Sequence, residues 1–174
     1  MISNFAPATK GAEIAYLFPG QGTQSAGMGK ELYDASSAAR SVFDEIDKAL
    51  GRPLTEILFS GPDEVLRETI NAQPAIFSVS LACMAAMGEF LDDDTALRPA
   101  FLAGHSLGEY TALAVAGVLE VGEAAQLVEE RGRLMQEVCE RRPGTMAAVL
   151  GLDLACAPAR APARLGGKTH EVVP

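Results

Sequence analysis

"AFLAGHSLGEYTALAVAGVL", residues 100–119, reads as a short apolar strand, a sharp turn and a helix. Ala100 to Ala103 form the strand and Ser106 sits at the turn. The helix runs to about Ala116, and Gly117 is suited to close it in the left-handed backbone conformation that helix ends favour. Within the turn, Gly104-His105-Ser106-Leu107-Gly108 has the G-x-S-x-G pattern of a nucleophile elbow. Such an elbow holds its serine at a helix N-terminus, where the dipole and free N–H groups favour developing negative charge. The glycines belong there because the turn is strained and the helix packs close to the strand. A tight turn with an incidental serine is the competing reading, and the strand–turn–helix context weighs against it.

Outward from this turn, strands and helices alternate. "EIAYLFPGQG", residues 13–22, is a strand from Ile14 to Phe18 running into a Pro/Gly turn. It is not a P-loop, since no Gly-Lys-Ser/Thr follows. If the two strands are parallel neighbours, both turns open at the same carboxyl edge of the sheet. The N–H of Gln21 then faces Ser106 and complements the N–H of Leu107 as an oxyanion hole. From Gly29 to Leu50 the pattern is helical, with Val42, Ile46 and Leu50 at i, i+4 and i+8. Gly51-Arg52-Pro53 breaks it, a short helix follows over Leu54–Phe59, and Ser60 to Glu64 supply a cap and first turn. Residues 72–91 form a long buried helix, 92–99 a solvated loop, and Val121 to Arg141 an amphipathic helix. Residues 146–152 read as another strand. The alternation predicts an α/β fold, a parallel sheet with flanking helices. Residues 1–12 are a loose lead, 13–144 the large α/β subdomain, and 145–174 a separate region with Ala, Pro, Arg and Gly dominating beyond Asp153.

Composition narrows the function classes. The 174 residues carry 23 acidic and 14 basic side chains, a net charge of −9, which speaks against nucleic acid and anionic membrane as partners. Arg131, Arg133, Arg141 and Arg142 form the one dense basic segment on which an acidic protein could dock. Cys83, Cys139 and Cys156 read as reduced intracellular thiols, with Cys83 a buried small hydrophobe. No CxxC or His/Cys spacing points to a metal, and the three aspartates of residues 92–94 read as surface. The most apolar run, residues 74–87, is shorter than the ~20 residues a membrane span needs, so a core helix is expected. No signal peptide is legible, and a cytoplasmic location is expected.

Four blocks in order, "YLFPGQGTQSAGMGKELY" (16–33), "NAQPAIFSVSLA" (71–82), "AGHSLGEYTALAVAGVL" (103–119) and "RGRLMQEV" (131–138), resemble the malonyl-CoA:acyl carrier protein transacylase family, which includes the acyltransferase domains of fatty acid and polyketide synthases. The resemblance implies that Ser106 takes the acyl group from coenzyme A. It implies that backbone amides of Gln21 and Leu107 form the oxyanion hole, and that Arg131 pairs with the free carboxylate of the malonyl group. A guanidinium fork suits a carboxylate and stays charged at any working pH. Taken without the resemblance, Arg131 reads as a solvated helix arginine. Gln73, Met135 and His105 would line the pocket, although core packing serves nearly as well for Met135. The implied chemistry is ping-pong acyl transfer from malonyl-CoA to the phosphopantetheine thiol of an acyl carrier protein, with no metal or redox cofactor.

The serine needs a base. His105 adjoins it and points elsewhere at such a turn, and His170 lies near the end of the sequence. In the family the catalytic histidine comes farther on, after a small ferredoxin-like subdomain, and residues 145–174 resemble the start of that subdomain. The expectation is a chain that carries the nucleophile but not its base. Two alternatives stay open: an acyl hydrolase of the same fold, and an inactive remnant or binding module. Arg131 speaks against the hydrolase, because removing simple acyl groups needs no carboxylate clamp. Malonyl against methylmalonyl, the pathway and the oligomeric state are not legible.

Overall fold

The computed structural model describes residues 14–91 and 99–141. Two strands, β1 (Ala15–Phe18) and β2 (Phe101–Gly104), pair in parallel, with Ala15 opposite Phe101 and Phe18 opposite Gly104. The parallel pairing expected from the sequence is therefore present, and both strands end at the same edge. Seven helices surround it among the described residues: α1 (Lys30–Ala35), α2 (Ser37–Leu50), α3 (Leu54–Ser60), α4 (Asp63–Arg67), α5 (Thr69–Phe90), α6 (Gly108–Val115) and α7 (Val121–Arg141). Helix α5 is central, packed by α2 and α7, and α6 lies on both strands. This is the α/β arrangement of parallel sheet and flanking helices that the sequence predicts.

The helical periodicity translates directly into a core. Val42, Phe43 and Ile46 of α2, Leu54 and Leu58 of α3, Leu66 of α4, and Phe77 and Leu81 of α5 are all buried. Each such side chain contributes roughly 1.5–3 kcal/mol by leaving water. Phe59 meets Tyr33 and Phe43 edge to face, with the Tyr33 and Phe59 ring centres 5.3 Å apart, and Tyr33 lies tilted against Phe43. Arg52 ties the α2–α3 turn to two other elements. It is ion-paired to Glu129 of α7 at 2.6 Å and donates to the side-chain oxygen of Asn71 in α5 at 2.9 Å.

Several expectations need correction. The helix expected over Gly29–Leu50 is two helices, because Ser36 takes up extended backbone and its side chain accepts from the Ala39 N–H. Serine satisfies an orphan amide better as an N-cap than it serves a helix interior. The long helix starts at Thr69 rather than 72, and its 22 residues are enough to cross a membrane by length and composition. The length argument against a span therefore fails. Burial replaces it: 67% of the most apolar window is packed inside the protein. Cys83 is exposed rather than buried. It shares an α5 face with half-buried Val79, which packs against the core, and with Phe90, which is 59% exposed. Partial desolvation still pushes the Cys83 thiol pKa up. The basic segment is largely neutralised: Arg133 pairs with Glu130 and Glu137, and Arg141 with Glu137. The strand over 146–152, the subdomain start at 145–174, Arg142, Cys156, His170 and the aspartates of 92–94 lie outside the described residues.

Glu89, near the end of α5, caps the start of α2 from a distance in sequence. Its carboxylate accepts from the hydroxyls of Ser36 and Ser37 and from the Ala38 N–H at 3.1 Å. The Ser36 hydroxyl, then that of Ser37, hold its pKa down at about 2. A carboxyl whose folded pKa lies below its unfolded value stabilises the fold above the unfolded pKa and loses that effect as pH falls. The contribution is thus complete above pH 4.5 and fades between 4.5 and about 2. Urea midpoints should fall more steeply over that window in the wild type than in Glu89→Gln. The Gln variant should also start from a lower midpoint at pH 7. Parallel curves would show that the contact is energetically neutral.

Candidate active site

The elbow is built as the glycines predict. Ser106 has φ 54°, the one non-glycine positive φ among the described residues. L-residues avoid this region because Cβ crowds the backbone. The flanking glycines leave no room for a side chain. A Cβ on Gly104 would lie 1.9 Å from the carbonyl carbon of Gly108, and one on Gly108 would lie 2.3 Å from the Phe18 oxygen. The strand-to-helix turn is closed by the His105 N–H donating to the Phe18 oxygen at 3.0 Å. Gly108, Glu109 and Tyr110 donate to the carbonyls of His105, Ser106 and Leu107. The Leu107 N–H therefore lies ahead of that ladder, among the amides that a helix start leaves over.

The first loop meets the elbow from the neighbouring strand. A Cβ on Gly20 would stand 2.6 Å from the His105 ring nitrogen Nδ1 and 3.0 Å from the His105 carbonyl oxygen. Gln21 is anchored through its side chain, which donates to the Thr69 hydroxyl at 3.2 Å. The loop's turn is tied internally by the Gly22 N–H on the Gln24 side-chain oxygen at 2.9 Å. The structure thus brings the loop of Gln21 to the elbow. The His105 ring packs toward Gly20, and among the described residues no hydrogen bond joins it to Ser106.

Arg131 reaches the elbow from α7. One terminal nitrogen, Nη2, donates to Ser106 Oγ at 2.9 Å, and the other, Nη1, donates to the side-chain oxygen of Gln73. Its guanidinium carbon is 6.0 Å from the ring centre of Tyr110. Gln73 is fully buried in α5, and its amide nitrogen donates to the Met135 sulfur at 3.3 Å. Ser106, Arg131, Gln73 and Met135 therefore form one connected set across α5, α7 and the elbow, although they lie 58 residues apart at the Gln73–Arg131 link. What permits the reach is Gly132. A Cβ there would lie 2.7 Å from the Thr69 oxygen and 3.0 Å from Ile70 Cα, so the two helices touch backbone to backbone. Sequence reasoning passed over Gly132, Thr69 and Tyr110. A glycine inside an amphipathic helix was the available signal for the first. Nothing local marked the other two.

A serine at a strained strand–helix turn on a parallel α/β sheet, with a guanidinium on its hydroxyl, is an arrangement suited to acyl chemistry. The chain belongs to the acyl transferase domain family, whose model matches residues 15–168. It is 46% identical over 142 residues to the malonyl CoA-acyl carrier protein transacylase of Bacillus subtilis strain 168, covering 82% of this chain and 43% of the relative. Among solved structures it resembles malonyl-CoA:acyl carrier protein transacylase from Helicobacter pylori, with TM-score 0.75, 35% identity and coverage of 84% of this chain and 46% of that one. It also resembles a malonyl-transacylase solved in complex with its type II polyketide synthase acyl-carrier protein, with TM-score 0.64 and 40% identity, covering 72% of this chain and 40% of the other. The chain thus spans less than half the length of these relatives.

Proposed function

We propose that this chain carries the nucleophile-bearing part of an enzyme that moves a malonyl group from coenzyme A to the phosphopantetheine thiol of an acyl carrier protein. The observation that carries the reading is Arg131 Nη2 at 2.9 Å from Ser106 Oγ. A malonyl group has its carboxylate only two bonds beyond the thioester carbon. An acyl donor seated for attack by Ser106 therefore offers that carboxylate to the same guanidinium, where a charge-assisted pair is strong. An uncharged acetyl group gains nothing there. This disfavours the hydrolase alternative.

In the proposed reaction Ser106 Oγ forms a bond to the thioester carbon as its proton passes to a base. The tetrahedral oxyanion is held by the amides of Leu107 and Gln21, preorganised donors of the kind that lower such barriers by several kcal/mol. The carbon–sulfur bond then breaks, and the coenzyme A thiolate takes up a proton. The carrier's thiol repeats the sequence in reverse and leaves with the malonyl group. This chemistry calls for no metal or redox cofactor. The relatives' names and the solved carrier complex support both substrates. Free, exposed Cys83 and Cys139 suit a reducing compartment, which supports a cytoplasmic location.

Intact-mass measurement on the chain after incubation with malonyl-CoA, and separately with acetyl-CoA, tests this reading. A malonyl increment that forms faster than the acetyl one is expected, and Arg131→Ala should slow malonylation about tenfold or more while leaving acetylation alone. Equal labelling by both donors would remove the carboxylate clamp from the proposal. Absence of any increment on a folded chain would mean that Ser106 is not acylated by this polypeptide.

A further inference from the structure

We infer that Gln73 is a positioning residue, acting through Arg131, and that the Met135 sulfur fixes which way its amide faces. This inference rests on the malonyl-transfer reading for its functional consequence, but its structural part does not.

The chemistry of the three side chains determines the arrangement. A guanidinium has only donors and a thioether sulfur only accepts. Gln73 lies between them, fully buried, with its oxygen toward Arg131 Nη1 and its nitrogen toward Met135 Sδ at 3.3 Å. The flipped amide would set N–H groups against N–H groups on one side and oxygen against sulfur on the other. Both neighbours therefore select the same orientation. Arg131 and Met135 stand four residues apart on α7, on one helical face, and the close approach at Gly132 brings that face to Gln73. With Nη1 held in the interior, the guanidinium is left one direction in which to present Nη2, and Ser106 Oγ lies there at 2.9 Å. An arginine side chain otherwise has large rotamer freedom, and fixing it beforehand removes that entropy from the binding step.

The test has two independent readouts. The first is NMR of the Arg131 guanidinium in the free chain. Distinct, slowly exchanging Hη signals are expected in the wild type and should be lost in Gln73→Leu. Their absence from the wild type, or their persistence in the variant, would overturn the positioning role whatever the protein binds. The second is titration calorimetry with malonyl-CoA and acetyl-CoA. Gln73→Glu puts a carboxylate on Nη1 and offsets the guanidinium charge, so malonyl-CoA should lose about tenfold more affinity than acetyl-CoA does. Met135→Leu, close in volume, keeps the packing and frees the amide to turn. It should cost malonyl-CoA a few-fold more affinity than it costs acetyl-CoA. Equal losses for both donors would reduce Gln73 to a packing residue and overturn the inference. A wild type that shows ordered Hη signals but no preference for malonyl-CoA would instead overturn the malonyl reading and leave the positioning role standing.

Discussion

Ser106→Gly is expected to abolish acylation and, at the same time, to make the protein more stable. Ser106 sits at φ 54°, where a non-glycine residue carries roughly 1–2 kcal/mol of strain. Glycine relieves that strain, and the greater freedom of its unfolded chain takes back roughly 0.5–1 kcal/mol. The hydrogen bond lost from Arg131 to Ser106 is solvent-exposed and offsets little. The net gain should be a few tenths of a kcal/mol to about 1 kcal/mol in urea unfolding, alongside loss of every malonyl increment in the mass spectrum. Ser106→Ala should also lose the increment, but without the gain in stability, because alanine keeps the Cβ. Equal stability of the Gly and Ala variants would show that the surrounding turn, and not the residue, sets this backbone conformation.

Gly104→Ala should be the most damaging glycine-to-alanine substitution among the described residues. Its Cβ would meet the Gly108 carbonyl carbon at 1.9 Å, the carbonyl oxygen at 2.0 Å and the Glu109 amide nitrogen at 2.3 Å. All three are backbone atoms at the start of α6, so no side chain can swing aside. Helix α6 would have to lift from β2 and from the Phe18 carbonyl that Gly108 touches. We expect a loss of more than about 4 kcal/mol, at the far end of what single substitutions do, or failure to fold. Gly88→Ala provides the internal contrast. Nothing lies within 4 Å of a Cβ there, and the residue is in the last turns of α5. It should stabilise by roughly 0.5–1 kcal/mol, since alanine loses less freedom in a helix. Circular dichroism melts of the two variants beside the wild type would separate them at once. Similar melting temperatures would mean that the elbow has more slack than its contacts indicate.

The strained turn was legible in the sequence. Gly104 and Gly108 around Ser106 name a strained turn from spacing alone, because residue size and backbone freedom are local properties. The strand and helix on either side follow from local hydrophobic periodicity, and so do α3 and α7, the latter with its ends at Val121 and Arg141 as expected. Local pattern failed where a distant partner decides. Nothing near Ser36 in the sequence shows that Glu89 will complete its cap. Periodicity also places Cys83 in an apolar run without showing that its side chain stays exposed.

Sequence by itself determined most of the elements, the strained serine and the family. Only the tertiary structure decided that Arg131 is not a solvated helix arginine, since its partners Gln73 and Ser106 come from other parts of the chain. It also decided that Arg133 and Arg141 pair with Glu130 and Glu137. The physical reason is the same in each case. Backbone conformation is set by neighbours along the chain, whereas what a long charged side chain does is set by which donor or acceptor packing brings within about 3 Å.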